Sequence, residues 1–135
     1  MYTNQEIGEL GEKLAKKFLE ERDYEIICRN FKSREGEIDI IAKDEENTIV
    51  FVEVKTRTTT QYGEPSEAVN QTKKDHILKT AKYYLYSNKI TESNIRFDII
   101  EVFIFKGRYR VNHIKEIMWK NEHVFKKWYA QTLQR

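Results

Sequence analysis

Cysteine and proline are almost missing from this chain, each occurring once in 135 residues. A lone Cys28 cannot close an intramolecular disulfide, and no cluster of Cys and His has zinc-site spacing, so the chain fits a reducing, cytoplasmic setting. Five glycines and one proline leave little material for linkers or disordered tracts, so one domain is expected. Long apolar runs are also lacking. The opening MYTNQEIGELGEK has neither a basic cluster nor an apolar core, which argues against secretion and against membrane spanning. There is no Gly-rich phosphate loop followed by Lys and Ser or Thr, and no nucleophile elbow around a serine. His76, His113 and His123 are scattered without metal-ligand spacing and are read as surface or packing residues.

Charge, by contrast, is abundant: 34% of residues are Asp, Glu, Lys or Arg, and the formal net charge of +2 hides an uneven distribution. Residues 106–135 hold eight basic side chains against Glu116 and Glu122, a local +6, which leaves −4 for the first 105 residues. A basic C-terminal end on a mildly acidic body can attract a polyanion by counterion release, although a solvated helix face produces the same excess.

Hydrophobic periodicity orders the chain. Thr3 followed by Glu6 fits a capping box, and Ile7, Leu10, Leu14, Ala15, Phe18 and Leu19 then recur at helical spacing to about Arg22. Gly8 and Gly11 inside that helix each cost up to about 1 kcal/mol relative to Ala, so close approach of another backbone or a ligand is expected there. Glu12 falls at the border of the apolar stripe. The helix alone leaves it as a solvent-facing glutamate, within reach of a cleft over a sheet. Three strand-like runs follow, Tyr24 to Phe31, Gly36 to Lys43 and Thr48 to Thr56, with loops short enough for an antiparallel meander. A helix is expected from Gln71 to Ser87, strands from Ile95 to Phe105 and Arg108 to Ile114, and a basic, aromatic helix from about Trp119 to Leu133. A short helical turn is expected from Pro65 to Val69. The expected division is a domain over 1–118 with a C-terminal helix, 119–135, packed on it.

The run TIVFVEVKT is the conspicuous one. Its composition is that of a strand covered on both faces, yet Glu53 and Lys55 stand on one face of its second half. An unpaired buried charge costs several kcal/mol, so these two must be paired, solvated in a cleft, or holding something. In GEIDIIAK, Asp39 is likewise enclosed by Ile38, Ile40 and Ile41. A five-residue loop from Asp44 to Thr48 sets Lys43 opposite Ile49, Ile41 opposite Phe51, Asp39 opposite Glu53 and Glu37 opposite Lys55. It also lines up Ile38, Ile40 and Ala42 against Val54, Val52 and Val50. Two opposed carboxylates about 5 Å apart repel, which makes sense if a cation sits between them, either Lys55 or a divalent metal. Asp39, Glu53, Glu12 and the Val54 carbonyl are an oxygen donor set of the kind that suits Mg2+ or Mn2+, with Lys55 placed to orient a water or stabilise growing negative charge. Lys73 and Lys74 occupy the first turn of the second helix, against its dipole, which favours a role outside that helix.

Read together, GELGEKLA at Gly8 to Ala15, Asn30, GEIDII at Gly36 to Ile41, VFVEVKTR at Val50 to Arg57, GEPSEAV at Gly63 to Val69 with Lys73, and RFD at Arg96 to Asp98 resemble the UPF0102 or YraN family. That group of small bacterial proteins is similar to Holliday junction resolvases of the PD-(D/E)XK nuclease superfamily. The resemblance implies a restriction-endonuclease-like α/β fold, a mixed central sheet of about five strands flanked by helices. It also implies a metal-dependent endodeoxyribonuclease with Glu12, Asp39 and Glu53 as metal-site acids and Lys55 as the catalytic lysine. Gln71 and Lys73 fall where such nucleases place auxiliary residues, and Arg57 and Lys74 are further candidates for contact with DNA. The implied partner is DNA, branched or junction DNA included, and two cuts at a junction favour a homodimer. Arg96 and Asp98 share a strand face, where they can pair. Two other readings compete: a nucleic-acid-binding module of the same fold without turnover, and an assembly protein whose charged cluster is a structural ion-pair network.

Overall fold

A computed structural model describes residues 2–58 and 71–116. The expected turn at Pro65 and the expected C-terminal helix lie outside the described residues. The first helix, α1 (Asn4–Glu20), begins at the expected capping box: Thr3 Oγ1 accepts from the Glu6 amide at 3.1 Å and the Glu6 carboxylate accepts from the Thr3 amide at 3.3 Å. It is followed by β1 (Glu25–Ser33), β2 (Gly36–Lys43), β3 (Ile49–Arg57), α2 (Gln71–Ser87), β4 (Ile95–Phe105) and β5 (Arg108–Ile114).

The five strands form one sheet in the order β1-β2-β3-β4-β5. The first three make the antiparallel meander, β4 runs parallel to β3 after a crossover that contains α2, and β5 closes the far edge as an antiparallel hairpin. One helix covers each face. Ala15 and Leu19 of α1 bury against Ile40, Ala42, Val50, Val52, Ile100 and Val102. On the opposite face Ile77, Ala81, Tyr84 and Leu85 of α2 bury against Ile38, Ile41, Ile49, Phe51, Phe97 and Ile99. Because β3 is oily on both faces over its first half, it sits at the centre, as a near-continuous apolar strand should, whereas the neighbouring β4 is apolar on the α2 face and carries Arg96 and Asp98 on the other.

The β2–β3 loop has the expected length, and Lys43 pairs with Ile49. Asp44 explains it: its Oδ1 accepts from the Glu46 and Thr48 amides, both at 2.9 Å, and Asn47 takes a positive φ of 65°. The ladder then runs only to Ile40 opposite Val52. The expected continuation, Asp39 opposite Glu53 and Glu37 opposite Lys55, is replaced by a fork. Ile38 buries on the α2 side with Ile41, and Ile40 and Ala42 bury on the α1 side, so Ile38 does not line up with Ile40 and Ala42 as strict alternation requires.

The same slip occurs next door in β1, where Cys28 and Phe31, three residues apart, both pack on the α2 side. Pairing passes from Arg29–Ile40 to Phe31–Ile38 and skips Asn30 and Asp39, with Asn30 at a φ of 53°. Both strands therefore shift face at one shared position. A regular register would have aimed Asp39 at a face of the sheet. The slip instead turns its carboxylate into the gap between β2 and β3, where Oδ2 accepts from the Val54 amide at 2.7 Å.

Candidate functional site

A cavity of about 760 Å³ opens over this fork, between the first half of α1 and the ends of β2 and β3. Glu12, Asn30, Glu37, Asp39, Glu53 and Lys55 line it together. Asp39 and Glu53 thus face one space, although through a fork and not as a laddered pair.

Glu12 reaches the site because α1 lies directly on β3 at Gly11, where any Cβ would collide with Thr56 Oγ1. Gly8, expected to mark a close approach too, has open space around it. Glu12 is 16% exposed and pairs with Arg29 NH2 at 3.8 Å. The Asn30 amide, oriented as the surrounding carboxylates require, donates to Glu12 Oε1 at 2.9 Å and to Glu37 Oε1 at 3.2 Å. Glu37, Asn30 and Arg29 thus belong to the site; Glu37 lies in GEIDII and Asn30 is among the residues of the family resemblance, whereas Arg29 carries no local signal.

The electrostatics are unbalanced. Burial pushes the Asp39 carboxyl up to about 8, and the Glu53, Glu12 and Glu37 charges push the same way against the single Val54 amide that pulls it down. At neutral pH Asp39 therefore holds its proton for much of the time, and it shares a hydrogen bond with Glu12. Burial raises Glu12 as well, with Arg29 opposing. Glu53 lies between two ammonium groups, Lys55 at 3.5 Å and Lys73 at hydrogen-bond distance. The two lysines shift oppositely. Burial and the neighbouring Lys73 lower Lys55, whereas in Lys73 burial is outweighed by the bond to Glu53.

The remaining expected residues are dispersed. Lys74 is half-buried on α2 and is not among the residues lining the cavity. Gln71 opens α2, and its side chain lies outside the described residues. Arg57 sits at the end of β3, outside the cavity lining, facing the buried Glu101 at 3.8 Å. Arg96 and Asp98 do pair, on β4, two strands across from Asp39 and outside the cavity lining.

The residues present fit a hard divalent cation by their chemistry. The donors are carboxylate oxygens and a main-chain carbonyl, and burial together with the charges of Glu53, Glu12 and Glu37 raises the Asp39 carboxyl. They are not drawn into ligand geometry. Among the described residues no three Asp, Glu, His or Cys side chains stand together as a metal site, because Glu53 is taken by lysines and Glu12 by Arg29 and Asn30.

The family model described as "Uncharacterised protein family UPF0102" matches residues 11–102, a span that runs from Gly11 into β4 and contains Glu12, Asn30, Glu37, Asp39, Glu53 and Lys55. The chain belongs to the UPF0102 family. A UPF0102 protein of Alkaliphilus oremlandii is 47% identical over 114 residues, 83% of this chain and 97% of that one. Another from Caldicellulosiruptor saccharolyticus is 48% identical over 102 residues, 76% of this chain and 86% of its own length. Among solved structures, a repair endonuclease from Pyrococcus abyssi is similar with a TM-score of 0.39 and 19% identity, over 78% of this chain and 41% of that one. Pyrococcus furiosus SfsA in complex with Ca2+ is similar with a TM-score of 0.36 and 10% identity, over 78% of this chain and 60% of that one. The chain thus spans less than two thirds of either structure.

Proposed function

We propose that this UPF0102 protein is a divalent-metal-dependent DNA endonuclease that hydrolyses phosphodiester bonds, with a resolvase-like preference for branched DNA. One observation carries the reading: Asp39 is buried in the fork with its Oδ2 on the Val54 amide at 2.7 Å, in one cavity with Glu12, Glu53 and Lys55, where burial and then the neighbouring carboxylates push its carboxyl up to about 8. Such a carboxyl exchanges its proton for a cation readily, because the cation relieves the repulsion that the proton now relieves.

Asp39 and Glu53, helped by Glu12 and the Val54 carbonyl, would hold magnesium or manganese. When bound, the ion supplies Lewis acidity toward a phosphodiester and lowers the pKa of water. Lys55 Nζ, whose pKa is lowered by burial, can orient an attacking water, stabilise the growing negative charge or give a proton to the departing oxygen. Glu53 keeps that ammonium at the cavity at 3.5 Å, and Lys73 adds a second positive charge on the same carboxylate. Arg29 and Asn30 hold Glu12 toward the cavity.

The test is to incubate the protein with magnesium or manganese and four-way, flap, single-stranded and linear DNAs, beside Asp39→Ala and Glu53→Ala. Wild-type cleavage of branched substrates is expected, with both variants slower by at least about 100-fold. Cleavage undiminished in both variants removes the proposal. Salt-sensitive binding without turnover supports the binding-module reading, which draws on the lysine-occupied Glu53.

A further inference from the structure

The β4–β5 hairpin carries charge and aromatic surface that the cavity does not use. Ile100 and Val102 bury under α1, so by strand alternation Glu101, Phe103 and Phe105 point to the other face, the one shared with Glu53, Lys55 and Arg57 of β3. Register then lines up whole rows across the sheet. Arg57 lies beside Phe103, which lies opposite Arg110; the next row is Phe105 opposite Arg108, capped by Lys106 in the turn.

These side chains form an alternation of cations and rings. The Arg110 guanidinium stands 4.5 Å over the Phe103 ring, and the Lys106 ammonium 5.3 Å from the Phe105 ring. Phe105 is 57% exposed, and Lys106, Arg108 and Arg110 are exposed. No acid occurs from Val102 to Lys115. Glu101, 2% exposed, is a buried carboxylate at the root of the hairpin, held by Asn112 at 3.2 Å and facing Arg57 at 3.8 Å. The path is continuous with the cavity, because Arg57 follows Lys55 on the same face of β3.

We propose that this hairpin face is a track for single-stranded DNA, with Arg108 and Arg110 on phosphates, Phe105 as a stacking platform for an unpaired base, and Arg57 joining the track to the cavity. Rings on which bases stack, set among cations that follow the backbone, are what unpaired strands require, whereas a blunt duplex hides its base faces. The direction of the track toward the cavity rests on the endonuclease reading; the binding itself does not. An unpaired strand leaving a branch point would lie here while the cavity takes the phosphodiester.

The experiment is fluorescence anisotropy with a labelled oligothymidylate and a blunt duplex, without metal, in wild-type and Asp39→Ala protein. Variants are Arg108→Gln with Arg110→Gln, Phe105→Leu, and Lys16→Gln on α1 as a control, with circular dichroism to confirm folding. The double arginine variant should bind the oligothymidylate about 10-fold or more weakly, with a shallower salt dependence. Phe105→Leu should weaken it by about 5-fold or more and leave the duplex unchanged. Wild-type affinity in both hairpin variants, an equal loss on the blunt duplex in Phe105→Leu, or tighter binding of the matching RNA would overturn the proposal. Because Asp39→Ala is measured in parallel without metal, absent cleavage leaves this readout intact. Conversely, hairpin variants that cut branched DNA at the wild-type rate while binding single strands normally would leave the endonuclease reading standing and remove the track.

Discussion

Asp39 and Asp98 are both largely buried aspartates on adjacent regions of one sheet, and their surroundings drive them in opposite directions. Asp98 is fully enclosed and completely answered: Arg96 Nε and NH2 donate at 2.9 Å, the Glu116 amide donates at 3.1 Å, and His113 Nε2 lies at 2.7 Å. Arg96 is answered in turn by the Tyr24 hydroxyl at 2.7 Å and Asp44 at 3.3 Å. Burial would raise Asp98, but these hydrogen bonds win and hold it below the usual carboxylate range. Asp39 has the Val54 amide and three carboxylates. Burial alone therefore does not identify a functional acid. What separates the two is whether the partner charges close the circuit. The comparison breaks most sharply by deletion. Asp98→Ala leaves the Arg96 charge uncompensated and should cost about 3–5 kcal/mol in urea denaturation. Asp39→Asn removes a strained carboxyl and should leave stability equal or higher while cleavage falls. Equal losses in the two variants would make Asp39 a structural residue like Asp98.

A second, smaller separation is in pH. The Asp98 pKa is depressed, so its stabilisation is present above the ordinary carboxylate pKa of 3.8 and is lost as pH falls through the folded value. The Asp39 pKa is raised from 3.8 to about 8, so its folded form is favoured below 3.8 and that advantage drains away as pH rises toward 8. Thermal denaturation should therefore show stability falling between about pH 4 and pH 8, and Asp39→Asn should flatten that slope while preserving the acid limb. Added magnesium should flatten it too, by taking the place of the proton. A slope unchanged by Asp39→Asn would assign the pH response to another group.

The contrast between the two aspartates was only half legible in the chain. Alternation, loop length and caps act over a few residues, and they located α2, β4, β5, the Thr3 cap and the Lys43–Ile49 pairing. They also brought Glu53 and Lys55 to one face and marked Asp39 as misplaced in an apolar run. The slip at Asn30 and Asp39 was not legible, since it is cooperative between two strands and depends on Asn30 taking a left-handed conformation that a regular strand pattern does not encode. The partners of Arg96 come from β1, from the β2–β3 loop and from its own strand, and Arg57 meets Glu101 only because β3 and β4 lie side by side in parallel. Contacts of that kind are set by topology, and topology is not a local property of sequence.

The smallest effect tests why Glu12 belongs to the open cluster at all. α1 can lie against β3 only because Gly11 has no side chain; a methyl there meets Thr56 Oγ1 and must push the helix or the strand aside. Gly11→Ala should therefore cost about 1–3 kcal/mol from overpacking. The displacement falls one residue from Glu12, so it should also weaken manganese binding in calorimetry, while the ring signals of His113 in the closed Asp98 cluster stay where they are. Gly8 is one turn away on the same helix but has open space around it, so Gly8→Ala should gain up to about 1 kcal/mol in helix propensity and leave manganese binding unchanged. Equal responses at the two glycines would mean that helix propensity, and not the contact with β3, governs this helix, and Glu12 would then need another reason to face Asp39.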